Sequence, residues 1–330
     1  MPDLSGMLLL VVALALLFDF SNGWHDSANA IATVVSTRVL SPVLAVLMAG
    51  VLNVAGAFMS TAVAKMVGAG ILDPGAVTQG MVACALAGAI LWNLLTLLLG
   101  LPTSSSHALI GGMVGAGLAH GGLAVVKFSG LRSVLEAMVL SPLFGFVIGL
   151  ALMVTISWVF FRTARGLATR LFKRLQLVSA AFMAFSHGAN DAQKAMGIIT
   201  LALLSAGQIT SAEVPTWVIV ACALAMGLGT AAGGWRIVRT LGMRIVKLEP
   251  VHGFAAETGA AAVLLATAHL GLPVSTTHTI TSAVMGVGAI KRLSAVRWGV
   301  TARIFYAWVF TLPGAALFGV LIYVGFSRLS

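Results

Sequence analysis

Two short polar strings each occur twice in this chain, and their copies come in the same order. GWHDSAN at 23–29 is matched by GANDAQK at 188–194, 165 residues later. LPTSSSH at 101–107 is matched by LPVSTTH at 272–278, 171 residues later. Internal symmetry of this kind indicates a duplicated structural unit. The sequence therefore predicts two halves of similar architecture, each carrying both strings.

The repeated strings lie in a strongly apolar chain. Hydrophobic residues make up 59% of its 330 positions and charged residues only 8%, and the mean hydropathy is +1.05. These values exclude an ordinary soluble protein, in which about 25% of residues are charged. Apolar runs of about 20 residues predict membrane-spanning helices rather than barrel strands. Because Asp3 and no Lys or Arg precedes the first run, we expect a span there and not a cleaved signal peptide.

The net charge of +10 comes mostly from three basic connectors between apolar segments. The positive-inside rule places all three on the cytoplasmic side, so they indicate topology and no nucleic-acid partner is expected. They contain Arg162, Arg165, Arg170, Lys173 and Arg174; Arg236, Arg239, Arg244 and Lys247; and Lys291, Arg292, Arg297 and Arg303. The two cysteines, Cys84 and Cys222, lie in separate apolar runs and predict neither a disulfide nor a metal site.

The apolar segments divide the chain into a first membrane repeat at 1–161, a basic cytoplasmic connector at 162–178 and a second membrane repeat at 179–330. Each repeat is predicted to contain a helix broken at its first string and an apolar pair that enters and leaves by one face. Three crossings per half would invert the second half and place both termini outside. The predicted fold is an all-α integral membrane protein with two inverted-topology repeats, each with a broken helix and a re-entrant helical hairpin. Two full crossings in place of each hairpin would preserve the parity and remain an alternative.

The tips of the apolar pairs are predicted to begin short helices. Pro102 and Pro273 cannot continue a preceding helix, and the Ser and Thr residues that follow are good N-caps. The unpartnered N–H groups and positive dipole end of such a helix suit an oxyanion. Two tips that meet at the membrane midplane would present donors from opposite sides. A plain capped turn at the interface is the alternative interpretation.

Asp26 and Asp191 lie in the middle of apolar segments, where an ionised group is costly and usually marks an ion or substrate path. Flanking Gly23 and Gly188 are predicted to break the helices, so that freed carbonyls join each carboxylate in binding Na⁺ or H⁺. In the second half Lys194 takes the place of Asn29, within helical reach of Asp191. A tethered cation there could replace a mobile one.

Glu257 breaks the symmetry between the halves. It lies 21 residues before His278, whereas the matching position before His107 is Leu86. We interpret Glu257 as a proton or cation carboxylate, with a residue at a polar boundary as the alternative. Asp19, one or two turns before the first string, is more ambiguous. The candidates for cation or proton coupling are Asp26, Asp191, Asn190, Lys194, Glu257 and His25, and no resident metal or cofactor is expected.

Taken together, the four strings resemble the inorganic phosphate transporter (PiT) family over nearly the whole chain, since that family carries GANDVAN-like and LPxSxTH sequences. The resemblance implies a secondary active transporter of phosphate with alternating access. It also implies a multi-pass protein of a prokaryotic plasma or inner membrane and a homodimer. The phosphate ligands implied by position are Ser104, Ser105, Ser106, Ser275, Thr276, Thr277, Asn29 and Gln193.

The departures from the sodium-coupled pattern are informative. His25 stands where that pattern has Asn, and Gln193 and Lys194 stand where it ends in Ala-Asn. Both changes resemble the bacterial low-affinity branch, which implies proton symport of phosphate, in some cases as a neutral complex with Mg²⁺ or another divalent metal. We therefore expect Lys194 to supply the charge that Na⁺ supplies elsewhere, and transport to need no Na⁺.

Other functions remain as alternatives with weaker support. A sodium-coupled phosphate symporter or a sulfate permease would share the fold. A passive anion channel is disfavoured because buried carboxylates repel an anion that travels alone. An enzyme is disfavoured because the sequence contains no nucleotide-binding loop before a helix and no arrangement indicative of a catalytic triad.

Overall fold

The computed structural model describes residues 6–290 and 295–329, so Asp3, Lys291 and Arg292 of the topology argument lie outside the described residues. The described residues form twelve α-helices, with three short helical turns between them and one isolated bridge, Leu72 to Val126. The helices are α1 (Gly6–Ser36), α2 (Pro42–Ala57), α3 (Ala62–Gly70), α4 (Gln79–Leu99), α5 (Ser105–Gly121), α6 (Phe128–Val159), α7 (Arg165–Ser205), α8 (Thr216–Ala232), α9 (Trp235–Arg239), α10 (Pro250–His269), α11 (Thr276–Ala289) and α12 (Trp298–Ser327).

Six of these helical segments have the length and apolar character of a membrane span. They are α1, α4, α5 with the turn that follows it, α6, α10 and α12. The pairs α2–α3 and α8–α9 pass the same test together, but they bend by 77° and 58° at short breaks. The prediction of an all-α integral membrane protein is confirmed.

The two halves have the same order of elements. Each begins with a long helix that carries the first string, continues with a bent pair and a helical hairpin, and ends with another long helix. The described elements thus agree with the predicted duplication, α1–α6 corresponding to α7–α12. The inversion of one half relative to the other stays a prediction.

The hairpin tips match in backbone detail. Gly100 and Gly271 both adopt a left-handed conformation, with φ of 66° and 70°, where the first helix of each hairpin ends. The next residue bonds back to that helix in both halves: Leu101 N to Thr96 O and Leu272 N to Thr267 O, each at 2.9 Å. This is a common way to terminate a helix, and glycine suits it because it has no Cβ.

The halves pack by exchanging elements. The final helix of each half lies against the hairpin of the other, α6 on α10 and α11 and α12 on α4 and α5. The bent pairs are exchanged as well, because α8 packs on α1 and α2 packs on α7. Each half therefore buries its helices largely against the other half.

The predicted helix breaks at Gly23 and Gly188 are wrong, because α1 and α7 run without interruption through both residues. These glycines permit close helix packing instead. A Cβ on Gly23 would lie 2.3 Å from the carbonyl oxygen of Met226, and one on Gly188 would lie 2.2 Å from that of Asn53. Side chains larger than hydrogen would push α8 off α1 and α2 off α7.

The helix breaks lie in the next helical segment of each half, between α2 and α3 and between α8 and α9. Side chains of the first string, at 188–194 and 23–29, cap the helices that begin after these breaks. Gln193 Oε1 accepts hydrogen bonds from Val63 N at 2.8 Å and Ala64 N at 3.3 Å, at the start of α3. Ser27 Oγ accepts one from Gly234 N at 2.6 Å, at the start of α9. A broken helix leaves N–H groups without intrahelical partners, and these side chains satisfy some of them.

The basic connector at 162–178 is mostly helical. Since α7 begins at Arg165, the connector continues directly into the helix that carries the second copy of the first string, at 188–194. At 41 residues, α7 is about 60 Å long and exceeds the thickness of a bilayer. The placement of its basic end on the cytoplasmic side, and the boundaries drawn at 161 and 178, stay predictions.

Candidate functional site

The two hairpin tips meet in the protein interior. The rings of His107 and His278 lie 4.9 Å apart between centroids, and Ser106 Oγ donates to Val274 O across 3.4 Å. Trp308 of α12 stacks on His278 at 3.9 Å and donates from Nε1 to Pro102 O at 2.9 Å, which ties both tips to the same side chain. The N-termini of α5 and α11 therefore converge, as the repeated strings predicted.

Each tip has a serine as its N-cap. Ser104 Oγ accepts from His107 N at 3.2 Å, and Ser275 Oγ accepts from His278 N at 3.1 Å. Such caps satisfy one of the N–H groups that a helix leaves unpaired at its start. The predicted phosphate ligands Ser104 and Ser275 thus have a structural role in this conformation.

The second tip is bonded to both halves. Asn29 Nδ2 donates to Thr276 Oγ1 at 3.2 Å and to Thr277 Oγ1 at 3.0 Å, while Thr276 Oγ1 donates to Asp191 Oδ2 at 3.1 Å. By contrast, the Ser105 hydroxyl makes no hydrogen bond to the described residues, although it is fully buried. The structure thus brings Asn29, Asp191 and the second tip together.

Asp26 is held by its neighbour in the first string. His25 Nδ1 lies 2.6 Å from Asp26 Oδ1, and His25 Nε2 lies 3.0 Å from Thr96 Oγ1 and 3.3 Å from Thr103 Oγ1. Thr96 lies in the last turn of α4 and Thr103 lies at the hairpin tip, so this network fastens α1 to the first hairpin. His25 thus contacts the acid, and its predicted part in coupling stays a prediction.

Asp191 has a different set of partners. The ammonium of Lys194 donates to Asp191 Oδ1, and His187 Nε2 lies 3.4 Å from Oδ2. Lys194 is only 1% exposed, so the pair forms a buried ion pair with a hydroxyl donor from the second tip. The prediction that Lys194 lies within reach of Asp191 is confirmed.

The two acids meet at the centre of the protein. Asp26, His187 and Asp191 present ligand atoms that all lie within 4.8 Å of one another. Two carboxylates and an imidazole at this separation could hold a cation between the halves. Asn190, also a predicted coupling residue, is fully buried nearby in the string, and its amide makes no hydrogen bond to the described residues.

Gln193 is a predicted phosphate ligand that the structure places differently. Its amide oxygen caps α3, as described above, and its Nε2 donates to Ala189 O. Both ends of the amide are engaged within the scaffold. Its contact with phosphate stays a prediction, and the geometry gives that prediction no support.

Glu257 of α10 lies in a separate polar cage formed by side chains of α1 and α7. Thr33 of α1 donates to Oε1, Ser179 of α7 donates to Oε2, and Gln176 Nε2 donates to Oε1 at 3.2 Å. Gln176 in turn accepts from Thr37 Oγ1 at 2.8 Å. Glu257 stands out in the sequence as an acid in an apolar segment, but its donors do not, because they lie 78 or more positions away in the chain.

All the predicted site residues are closed off from solvent, none being more than 2% exposed. A polar centre with two carboxylates, an ammonium and two helix N-termini is costly to bury in a protein of this composition unless it serves a ligand or ion. The fold and the site define a helical membrane transport protein built from two matching halves.

The chain belongs to the phosphate transporter family, whose sequence model matches residues 22–319. A probable low-affinity inorganic phosphate transporter of Rhizobium meliloti is 52% identical over 96% of both chains. One of the same description from Bacillus subtilis is 46% identical, again over 96% of both chains. The resemblance to phosphate transporters of the low-affinity branch is confirmed, and these relatives are described as transporters, not enzymes.

A solved structure shares the whole fold. It is described as the sodium-dependent phosphate transporter and aligns with a TM-score of 0.91 at 25% identity, covering 98% of this chain and all of the other. The arrangement of hairpins and exchanged helices is therefore that of a multi-pass membrane transporter.

Proposed function

We propose that this protein takes up inorganic phosphate by proton symport with alternating access. Family membership and the descriptions of its relatives support phosphate as the cargo. The observation that supports proton rather than sodium coupling is the buried ammonium of Lys194, which donates to Asp191 at the centre of the protein. A fixed positive charge there reduces the need for a bound Na⁺.

Phosphate would bind where the tips converge. The helix N-termini of α5 and α11 supply N–H donors and positive dipole ends, which favour an oxyanion. The buried Ser105 hydroxyl has no partner among the described residues, and the Asn29 amide lies at the opposing tip. Hydrogenphosphate carries a proton that it can donate to Asp26 or Asp191, whereas sulfate cannot donate, so acids beside the donors favour phosphate over sulfate.

Alternating access is proposed from burial and from the exchanged packing. With its polar centre closed on both sides, the protein must open toward each face in turn to load and release cargo. The halves share helices, so motion of one hairpin and its partner helix moves groups on both sides of the centre. The described conformation corresponds to the closed stage of this cycle.

Some of the cargo would travel with a divalent metal. The Asp26, His187 and Asp191 ligand atoms lie close enough to hold such a cation beside the tips, and a metal–phosphate complex would enter with little net charge. The same cluster supports a second candidate, sodium coupling, because the solved structure of like fold is described as sodium-dependent.

We also propose that the protein is a homodimer, on the basis of the family resemblance. Light scattering on the detergent-solubilised protein tests this proposal by measuring its mass.

The deciding experiment is uptake of labelled phosphate into proteoliposomes in sodium-free buffer, with and without an inward proton gradient. We expect accumulation only with the gradient. Accumulation that requires added Na⁺ would replace proton coupling with the second candidate. Labelled sulfate that accumulates in place of phosphate would overturn the choice of cargo.

A further inference from the structure

A single polar stripe runs along α1 through the buried centre. Asp19, Asn22, Asp26, Asn29 and Thr33 are spaced by three or four residues, so they lie on one face of the helix. All five are buried, at 2% exposure or less. From Asp19 to Thr33 the stripe spans about 21 Å, a large part of the bilayer thickness.

The two ends of the stripe differ in how their carboxyl groups are satisfied. At one end Thr33 donates to Glu257, which also receives bonds from Ser179 and Gln176. At the other end both carboxyl oxygens of Asp19, and both amide atoms of Asn22, make no hydrogen bond to the described residues. An isolated buried carboxylate is very costly, so Asp19 is expected to hold a proton in this closed conformation.

The charges around Asp19 do not provide a partner for a carboxylate. The titratable groups that face it are Asp191 and Lys194 of α7 and the thiol of Cys222 of α8. Lys194 donates directly to Asp191, so its charge is already paired. Among the described groups, Asp19 therefore has no unpaired cation beside it to balance a carboxylate.

We propose that Asp19 is the proton-loading site on the outer side of the phosphate site, which deepens the proton symport proposed above and depends on it. The Asp19 carboxylate takes one proton from outer water to become a carboxylic acid. From Asp19 the proton passes to Asp26 and then to Glu257, the carboxyl groups along this path that can hold it, and leaves to inner water, so that each of the three acids returns to its carboxylate form. The outer position follows from the charge-based topology, which puts the start of α1 outside.

The test compares Asp19→Asn with the wild type in two assays on the full-length protein in proteoliposomes. The first is phosphate accumulation driven by an inward proton gradient in sodium-free buffer. The second is exchange of labelled for unlabelled phosphate without a gradient. In the first assay the wild type should accumulate phosphate about tenfold per pH unit of gradient, and Asp19→Asn should lose this accumulation. In the second assay Asp19→Asn should exchange phosphate within about twofold of the wild type. Asp73→Asn, which makes the same change at an exposed acid in a loop, should match the wild type in both assays.

Two results of these assays would overturn the role of Asp19, and a third would overturn proton symport itself. Normal driven accumulation by Asp19→Asn, or equal loss of accumulation and exchange, would overturn the role of Asp19. If the wild type itself shows no response to the proton gradient, the proposed function fails before the variant is considered.

Infrared spectroscopy provides a check that does not depend on the folding of Asp19→Asn. The carbonyl stretch of a protonated carboxylic acid should be present in the wild type and should shift in Asp19→Glu, which keeps the acid. We also expect Asp19→Glu to retain gradient-driven accumulation. A spectrum in which no such band changes between these two proteins would overturn the proposal.

Discussion

The two halves of the protein place the same acid in the same string but surround it differently. In the first half Asp26 contacts His25, whereas in the second half Asp191 contacts Lys194, His187 and Thr276. Glu257 has a polar cage in the second half, and its counterpart Leu86 is a buried apolar residue. The hairpins that carry the proposed anion donors have nevertheless kept the same backbone at their tips. We infer that duplication preserved the proposed anion site and that the proposed coupling depends on the residues that diverged.

The largest expected effect comes from removing the acid of the second half. Asp191→Asn leaves the buried Lys194 ammonium without its carboxylate, which costs about 3–5 kcal/mol. We expect phosphate uptake to fall about 100-fold or more and the melting temperature to drop. Uptake and thermal unfolding of the solubilised protein measure the two effects.

Its matched control is Asp26→Asn in the first half. There no ammonium is stranded, so uptake should fall while the melting temperature changes much less. Equal destabilisation by the two variants would mean that the halves do not differ in the way described.

The next effect concerns Glu257, the acid that only the second half has. Glu257→Gln keeps the shape of the side chain but cannot take up a proton. Gradient-driven accumulation should fall by about tenfold per pH unit, while exchange of phosphate continues. Glu213→Gln, at an exposed acid, is the control in the same assays. Retention of full driven accumulation would remove Glu257 from the proton path.

A smaller effect is expected when the second half is made to match the first at Lys194. Lys194→Asn removes the tethered cation beside Asp191, and a mobile cation can then take its place. We expect Na⁺ to stimulate uptake about fivefold in the variant and not in the wild type. Unchanged dependence on the coupling ion would show that Lys194 does not substitute for sodium.

The smallest expected effect concerns the N-caps of the hairpin tips, where the two halves have the same geometry. Ser104→Ala and Ser275→Ala each remove one N-cap, which is worth about 1 kcal/mol. Because the two caps have nearly the same geometry, we expect similar, small decreases in melting temperature. A large difference between the two decreases would contradict the structural equivalence of the tips.

Several parts of the fold could be predicted from the sequence because their signals are local. A Pro followed by Ser or Thr marks a helix start, and the N-caps Ser104 and Ser275 lie where those signals place them. The length of the apolar runs predicts helices that span a membrane. The repeated strings predict two similar halves, and their order is enough to indicate the family.

Features that depend on a neighbouring helix could not be predicted from the sequence. Gly23 and Gly188 have the sequence features of a helix break, but both allow close packing of another helix, which no local signal reveals. Gln193 belongs to a string that predicts a ligand, yet α3 uses its amide as a cap. The regular spacing from Asp19 to Thr33 is visible in the sequence, but its meaning depends on which side chains have partners. Local signals were enough to predict the membrane class, the duplication and the hairpin tips, because caps and apolar length act within one segment. The partners of each buried polar side chain became known from the packed structure, because they lie on helices brought together from distant parts of the chain.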